Sequence, residues 1–248
     1  MRFFYLRLVP VIGFLFVAGC ANAVPPAPGS TSSTVDTRFE ALKKSAPELT
    51  AFLRAMPKGA DLHSHLSGAV YAESYIAWAA QSGLCLVVVT QTIAAPPCDA
   101  AGGKPSVASA VARSDAYNAL IDALSVRNYK LRNVSGHDQF FATFARFNAA
   151  GDGRGGDMQA EAMARAASQN ILYLELMNSA GMSEARNLGK EIGWDDDLDR
   201  LHLKLTEAGL ADIVLRTKAA FAVIDARARN ILDCTGIAVQ GCGVEVRY

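Results

Sequence analysis

Two histidines one residue apart, His63 and His65, are the side chains in this sequence best placed to do chemistry together. They lie in Ala60-Asp61-Leu62-His63-Ser64-His65-Leu66, which alternates as a strand does. In an extended chain, residues i and i+2 point to one face with Cα atoms about 6.6 Å apart, so both imidazoles can turn to a single cation. Neutral imidazole is a common ligand of Zn2+ at about 2.0 to 2.1 Å. An H-x-H pair alone does not separate a metal site from two strand histidines.

The remaining candidates divide by neighbourhood. His137 falls in the first turn of a helix and reads as a helix-end polar group, and His202, among Leu198, Leu201 and Leu205, reads as a boundary residue on a packed helix. Glu175 shares one side of an apolar strand with Tyr173 and Met177, so a buried carboxylate there needs a hydrogen-bonding partner. Asp195 to Asp197 with Asp199 read as the acidic start of a helix, without the calcium-loop pattern. The glycines from Gly151 to Gly156 lack the phosphate-loop order and read as a flexible connector.

The elements that must position these groups alternate between strand and helix. Ser45-Ala46-Pro47-Glu48 opens a helix that stops at Pro57, the H-x-H strand follows, and Val70 to Ser82 is helical up to Gly83. Residues 84–133 read as an insertion beside the main domain: an apolar run Leu84 to Thr90, a segment broken by Pro96, Pro97 and Pro105, then a helix marked by Tyr117, Leu120, Ile121 and Leu124. Ser135 starts a helix whose expected apolar face is Phe140, Phe141, Phe144 and Phe147. Met158 to Gln169 is helical, Ile171 to Met177 reads as a strand buried on both faces, and helices follow over Asp196 to Ala208 and Ala211 to Leu232. Gly243 to Tyr248 reads as a third strand. The pattern predicts an α/β fold with a parallel sheet, in a barrel or a doubly wound order. An eight-stranded barrel needs about 250 residues, so three strands predict the N-terminal part of a larger design.

The first twenty residues carry Arg2 and Arg7, an apolar run from Leu8 to Ala18, then Gly19 and Cys20, the layout of an export signal too short to span a bilayer. Val17-Ala18-Gly19-Cys20 resembles a lipobox, which predicts a lipoprotein signal peptide over 1–19 and lipidation of Cys20, hence an exported, lipid-anchored protein in the periplasm or at the cell surface. Residues 20–35, rich in Pro, Ser, Gly and Thr, read as a flexible tether. Without Arg2 and Arg7, 22 Lys and Arg stand against 24 Asp and Glu, a balance that favours neither nucleic acid nor an acidic membrane surface. Cys85, Cys98, Cys234 and Cys242 make an even set for an oxidising compartment. The expected pairs are local, Cys85 with Cys98 and Cys234 with Cys242; a four-thiol zinc site is the rival, without the short C-x-x-C knuckle.

The segment Met56-Pro57-Lys58-Gly59-Ala60-Asp61-Leu62-His63-Ser64-His65-Leu66-Ser67-Gly68 resembles the opening motif of the adenosine deaminase family of metal-dependent amidohydrolases, a Met-Pro-Lys lead and an H-x-H-L-x-G core. The export signal, the insertion and its cysteine pair look most like the secreted adenosine deaminase-related growth factor branch. Order of elements extends the likeness over roughly residues 40–248, with Tyr173-Leu174-Glu175-Leu176 similar to the family's second barrel strand. The resemblance implies a TIM-type (β/α)8 barrel whose incomplete N-terminal part is residues 36–83 and 134–248. It also implies His63 and His65 as zinc ligands, with His65 near the substrate, and hydrolysis of adenosine or a related purine nucleoside to inosine and ammonia. Ser67 stands where members often carry the aspartate that meets the ribose. The family's third zinc histidine, catalytic glutamate and paired aspartates lie on later strands, so no catalytic residue is expected within this chain. Two alternatives remain: an exported amidohydrolase of other specificity, such as a dipeptidase, and a non-catalytic truncated lipoprotein. The cytidine-deaminase zinc motifs, H-x-E and P-C-x-x-C, do not occur.

Overall fold

The computed structural model describes residues 31–235 and 240–248. The signal-peptide reading, Cys20 and most of the tether lie outside the described residues. Among those described, no helix is long and apolar enough to cross a membrane.

The chain divides into a unit ending at Ala51 and a second unit from Phe52 to Tyr248. In the first, helix α1 spans Thr31–Leu42, and α2 begins at Ala46 and runs to Ala55. Helix α1 starts inside the stretch read as tether: Thr and Ser are common at helix starts, and composition alone does not separate that use from a linker.

The second unit carries the sheet. Strand β1 is Gly59–His65, a 3-10 turn covers Leu66–Ala69, and α3 is Ala72–Gln81. Gly83 follows at φ +65°, the left-handed conformation a helix stop favours. Then come β2 (Cys85–Val87), β3 (Thr92–Ala94), α4 (Val107–Ala110) and α5 (Ser114–Leu124). A 3-10 turn at Tyr129–Arg132 leads to α6 (Gly136–Gly151) and α7 (Gly155–Ser168). Strand β4 is Ile171–Met177, followed by α8 (Met182–Ile192), α9 (Leu198–Glu207), α10 (Leu210–Ile231) and β5 (Glu245–Arg247).

Strands β1, β4 and β5 form one parallel sheet in that order, and β2 with β3 forms a separate antiparallel hairpin. Each parallel neighbour is reached through helices, and the order advances in one direction without reversal. The structure is therefore mixed α/β with a small parallel sheet.

Two apolar clusters hold the second unit. One joins Leu66 and Val244 to Met163, Leu174, Leu176 and Ala228, so that one face of β4 lies on α7, which packs in turn on α10. The other gathers Leu86, Ile93, Val107 and Leu120 of the segment 84–133 around Tyr75 and Ile76 of α3 and Phe147 of α6. The segment shares this core with the helices on either side of it. Cys85 is bonded to Cys98 and Cys234 to Cys242, which leaves none of these four thiols for a metal.

Three expectations are corrected. Strand β4 is covered on one face only: Leu174 and Leu176 are buried, while Met177 on the other face is 41 % exposed. Helix α6 turns Gln139, Thr143, Phe147 and Ala150 inward, while Phe141 is 60 % exposed. Gln139 is inside because its amide donates to the carbonyls of Asp122 (2.9 Å) and Ser125 (2.7 Å), satisfying acceptors left open where α5 ends. The connector is shorter than the glycine-rich segment: Gly151 closes α6, Gly155 and Gly156 open α7, and only residues 152–154 link them. A Cβ on Gly156 would stand 2.3 Å from Arg227 Cγ and 3.0 Å from the Ile224 carbonyl oxygen, so this glycine permits the close approach of α7 and α10.

Candidate metal centre

The register of β1 on β4 sets which way the histidines face. Asp61 pairs with Leu174 and Ser64 with Leu176, so Leu62 and His63 stand against Glu175 alone and β1 bulges between the two pairs. Asp61 accepts the His63 backbone N–H at 3.1 Å inside the bulge. The extra residue puts both Asp61 and Ser64 on the helix-covered side, where they line a cavity of about 260 Å³ with Arg165, Gln169, Leu174 and Leu176. His65 pairs with Met177 and turns to the open side, as does His63. Their rings lie edge to face with centroids 5.2 Å apart, and both residues are exposed.

The open face continues across the sheet. Tyr173 pairs with Glu245 and Glu175 with Arg247, so His63, His65, Tyr173, Glu175, Glu245 and Arg247 share it. The Tyr173 hydroxyl donates to Glu175 Oε1 at 3.0 Å, and Arg247 pairs with Glu245. Desolvation first, then the Glu175 carboxylate, pushes the Tyr173 pKa up, so the phenol stays protonated. Glu175 is half-buried and hydrogen-bonded, as the need for a partner required.

The turn after β1 is held from below. Tyr75 donates to the Ser67 carbonyl at 2.7 Å, and Arg165 donates to the Ala69 carbonyl while its guanidinium lies 4.6 Å from the centre of the Tyr71 ring. Glu161 accepts the Tyr71 N–H at 2.8 Å and pairs with Arg165 at 3.3 Å. These contacts, from α3 and α7, fix where β1 ends; no short motif marks Arg165 or Glu161, which the sequence reading missed.

The other histidines stand elsewhere. His137 is exposed at the start of α6, its Nδ1 3.2 Å from Asp138 and its ring 4.8 Å from that of Phe141. Asp138 is held below the usual carboxylate range by the Ser135 hydroxyl first and His137 second. His202 is exposed on α9, not at a packed boundary. Asp195 is pulled well down by Arg200 and Lys204, and Asp197 caps α9 by accepting the Arg200 N–H at 3.1 Å, so this acidic run is a helix start. Among the described residues, no three His, Cys, Asp or Glu side chains converge as a metal site. His63 and His65 fit two adjacent positions of a tetrahedral ion, short of the three protein ligands that a catalytic zinc takes.

No protein-family model matches the chain, and no curated protein or solved structure matches it.

Proposed function

We propose that the chain contributes two ligands, His63 and His65, to an exported, lipid-anchored, zinc-dependent hydrolase that deaminates adenosine or a related purine nucleoside to inosine and ammonia. The observation that carries this reading is the pair of imidazoles side by side on the open face of β1, inside a Met-Pro-Lys and H-x-H-L-x-G segment that resembles the adenosine deaminase motif. Zinc, when bound, supplies the Lewis acidity that activates water for attack on C6 of the purine. The chain's own contribution is positional: the bulge removes Asp61 from the histidine face, and Tyr75 and Arg165 anchor the turn that follows. The proposed barrel is supported by parallel strands added in one direction through helical crossovers.

A second specificity has one observation in its favour. Ser67 occupies the place of the ribose-contacting aspartate, which favours an amidohydrolase acting on a substrate without that sugar contact, such as a dipeptide.

The test is ammonia release from adenosine by the protein purified from cells expressing its native gene, with a His63→Ala, His65→Ala double variant as control. Release that disappears in the variant supports the nucleoside reading. Dipeptide cleavage without ammonia release moves the assignment to the second specificity, and neither activity favours a non-catalytic lipoprotein. The 248-residue chain by itself is expected to turn adenosine over at well under about 1 per second, the low end for ordinary enzymes, because its described residues bring only two ligands together.

A further inference from the structure

We infer that the segment 84–133 docks on an anionic lipid surface, with the tip of the β2–β3 hairpin and the 3-10 turn Tyr129–Arg132 dipping into the headgroup region. The inference makes no use of the histidine pair, and the lipid-anchor reading only brings a bilayer within reach. Val89 at the hairpin tip is 91 % exposed, Val88 beside it 52 %, and Leu131 in the turn 83 %. Single exposed apolar residues are ordinary on a protein surface. These are not scattered, because Arg132 donates to Gln91 Oε1 at 2.6 Å and so ties the turn to the hairpin tip.

Both tips are held on firm supports. Cys85 at the base of the hairpin is bonded to Cys98, and Leu86 and Ile93 are buried in the core shared with α3 and α6. Asn128 and Asn133, both left-handed, bracket the 3-10 turn, and Arg132 donates to the Asp122 carbonyl at 3.1 Å where α5 ends. Insertion then costs little ordering. Cations stand beside the apolar tips: Arg127 and Lys130 are exposed, and Arg132 bonds only neutral acceptors among the interactions described. Residues 84–133 carry five Lys and Arg against three Asp and no Glu, the reverse of the slightly acidic balance of the mature chain, which hides this local excess. Apolar side chains flanked by basic ones match a bilayer boundary, where the former meet acyl chains and the latter meet lipid phosphates. A stable protein interface needs a broad packed patch, which two small protruding tips do not supply.

The test is hydrogen exchange, read by mass spectrometry, on the full chain mixed with phosphatidylcholine vesicles with and without phosphatidylglycerol. The amides of residues 88–91 and 128–134 are expected to exchange more slowly when phosphatidylglycerol is present and to lose that protection in high salt, while those of β4 do not change. One basic residue at an anionic leaflet is worth about fivefold in binding, so Lys130→Glu is expected to reduce the protection by about fivefold or more. Val89→Ser, Leu131→Ser, both at exposed positions, should abolish it with circular dichroism unchanged. Equal exchange on the two kinds of vesicle overturns the docking. Protection that appears without vesicles and grows with protein concentration assigns the tips to a second copy of the chain and overturns it as well. A chain that floats only with phosphatidylglycerol vesicles and protects the same amides upholds the docking while defeating the lipid anchor.

Discussion

Tyr75 is 1 % exposed, stacks on Phe147 at a centroid distance of 4.3 Å, and holds the Ser67 carbonyl two residues beyond His65. Its loss leaves that carbonyl without its phenol donor, so Tyr75→Phe is expected to cost about 1 to 2 kcal/mol, read from the urea midpoint at neutral pH. Burial first, and the Glu161 charge second, raise its pKa well above the ordinary 10. Tyr248, stacked on Phe221 and bonded to Gln159, is pushed up to about 12 by burial and by Asp225. Between the unfolded and folded values the native state holds a proton that the unfolded chain has released. Stability is therefore full below about pH 10 and falls as pH rises, for Tyr248 over the window from about 10 to about 12. Thermal melts across that window should show a declining Tm, with a shallower decline in Tyr75→Phe and Tyr248→Phe; equal slopes would remove both phenols from the account. At this scale the histidine pair was legible from its spacing, because a strand repeats every two residues. The bulge was not, since nothing in Asp61 to Ser64 announces an extra residue; without it, Asp61 would share the histidine face.

Helices α7 and α10 touch where Gly156 has no side chain. A methyl group there meets the Ile224 carbonyl as well as Arg227, and backbone cannot swing aside as a side chain can. Gly156→Ala is expected to destabilise by about 1 to 3 kcal/mol in a denaturant titration, although alanine is the better helix former. For the β2–β3 region, the Cys85–Cys98 bond closes a short loop whose loss should cost around 2 to 3 kcal/mol. Cys85→Ser, Cys98→Ser should lower the Tm; an unchanged melting curve would mean that Cys98 adds nothing to the core that buries Cys85. Helix starts and stops were the most readable features here, from Ser135 and Gly83. Helix α8 escaped the sequence reading although Met182, Ala185, Leu188 and Ile192 recur at helical spacing; the stripe is one residue wide, and only Leu188 is buried. The covered face of α6 was misassigned because the four phenylalanines outweighed Gln139 and Thr143 in the pattern, yet Gln139 bonds inward to the end of α5 and Thr143 satisfies its hydroxyl on the Phe140 carbonyl of its own helix.

At the scale of the molecule, the parallel sheet follows from strands separated by helical stretches, whereas the sharing of a core between α3, α6 and the segment 84–133 depends on contacts distant in sequence that no local pattern encodes. The export reading makes its own prediction: Cys20→Ser should leave a precursor that is not acylated. A mature protein that begins at Ala23 without acyl mass would dismiss the lipobox. The two separate cores have a consequence for how the protein opens. Among the described residues, Met158 packs against both, and its sulfur lies 3.3 Å from the Tyr75 hydroxyl. Amide hydrogen exchange should therefore resolve two cooperative blocks, one over α3 to α6 and one over α7, β4 and α10, each with its own opening free energy. Truncation of Met158 to alanine should widen the gap between them, letting the region around β2 and β3 exchange while the amides of β4 stay protected.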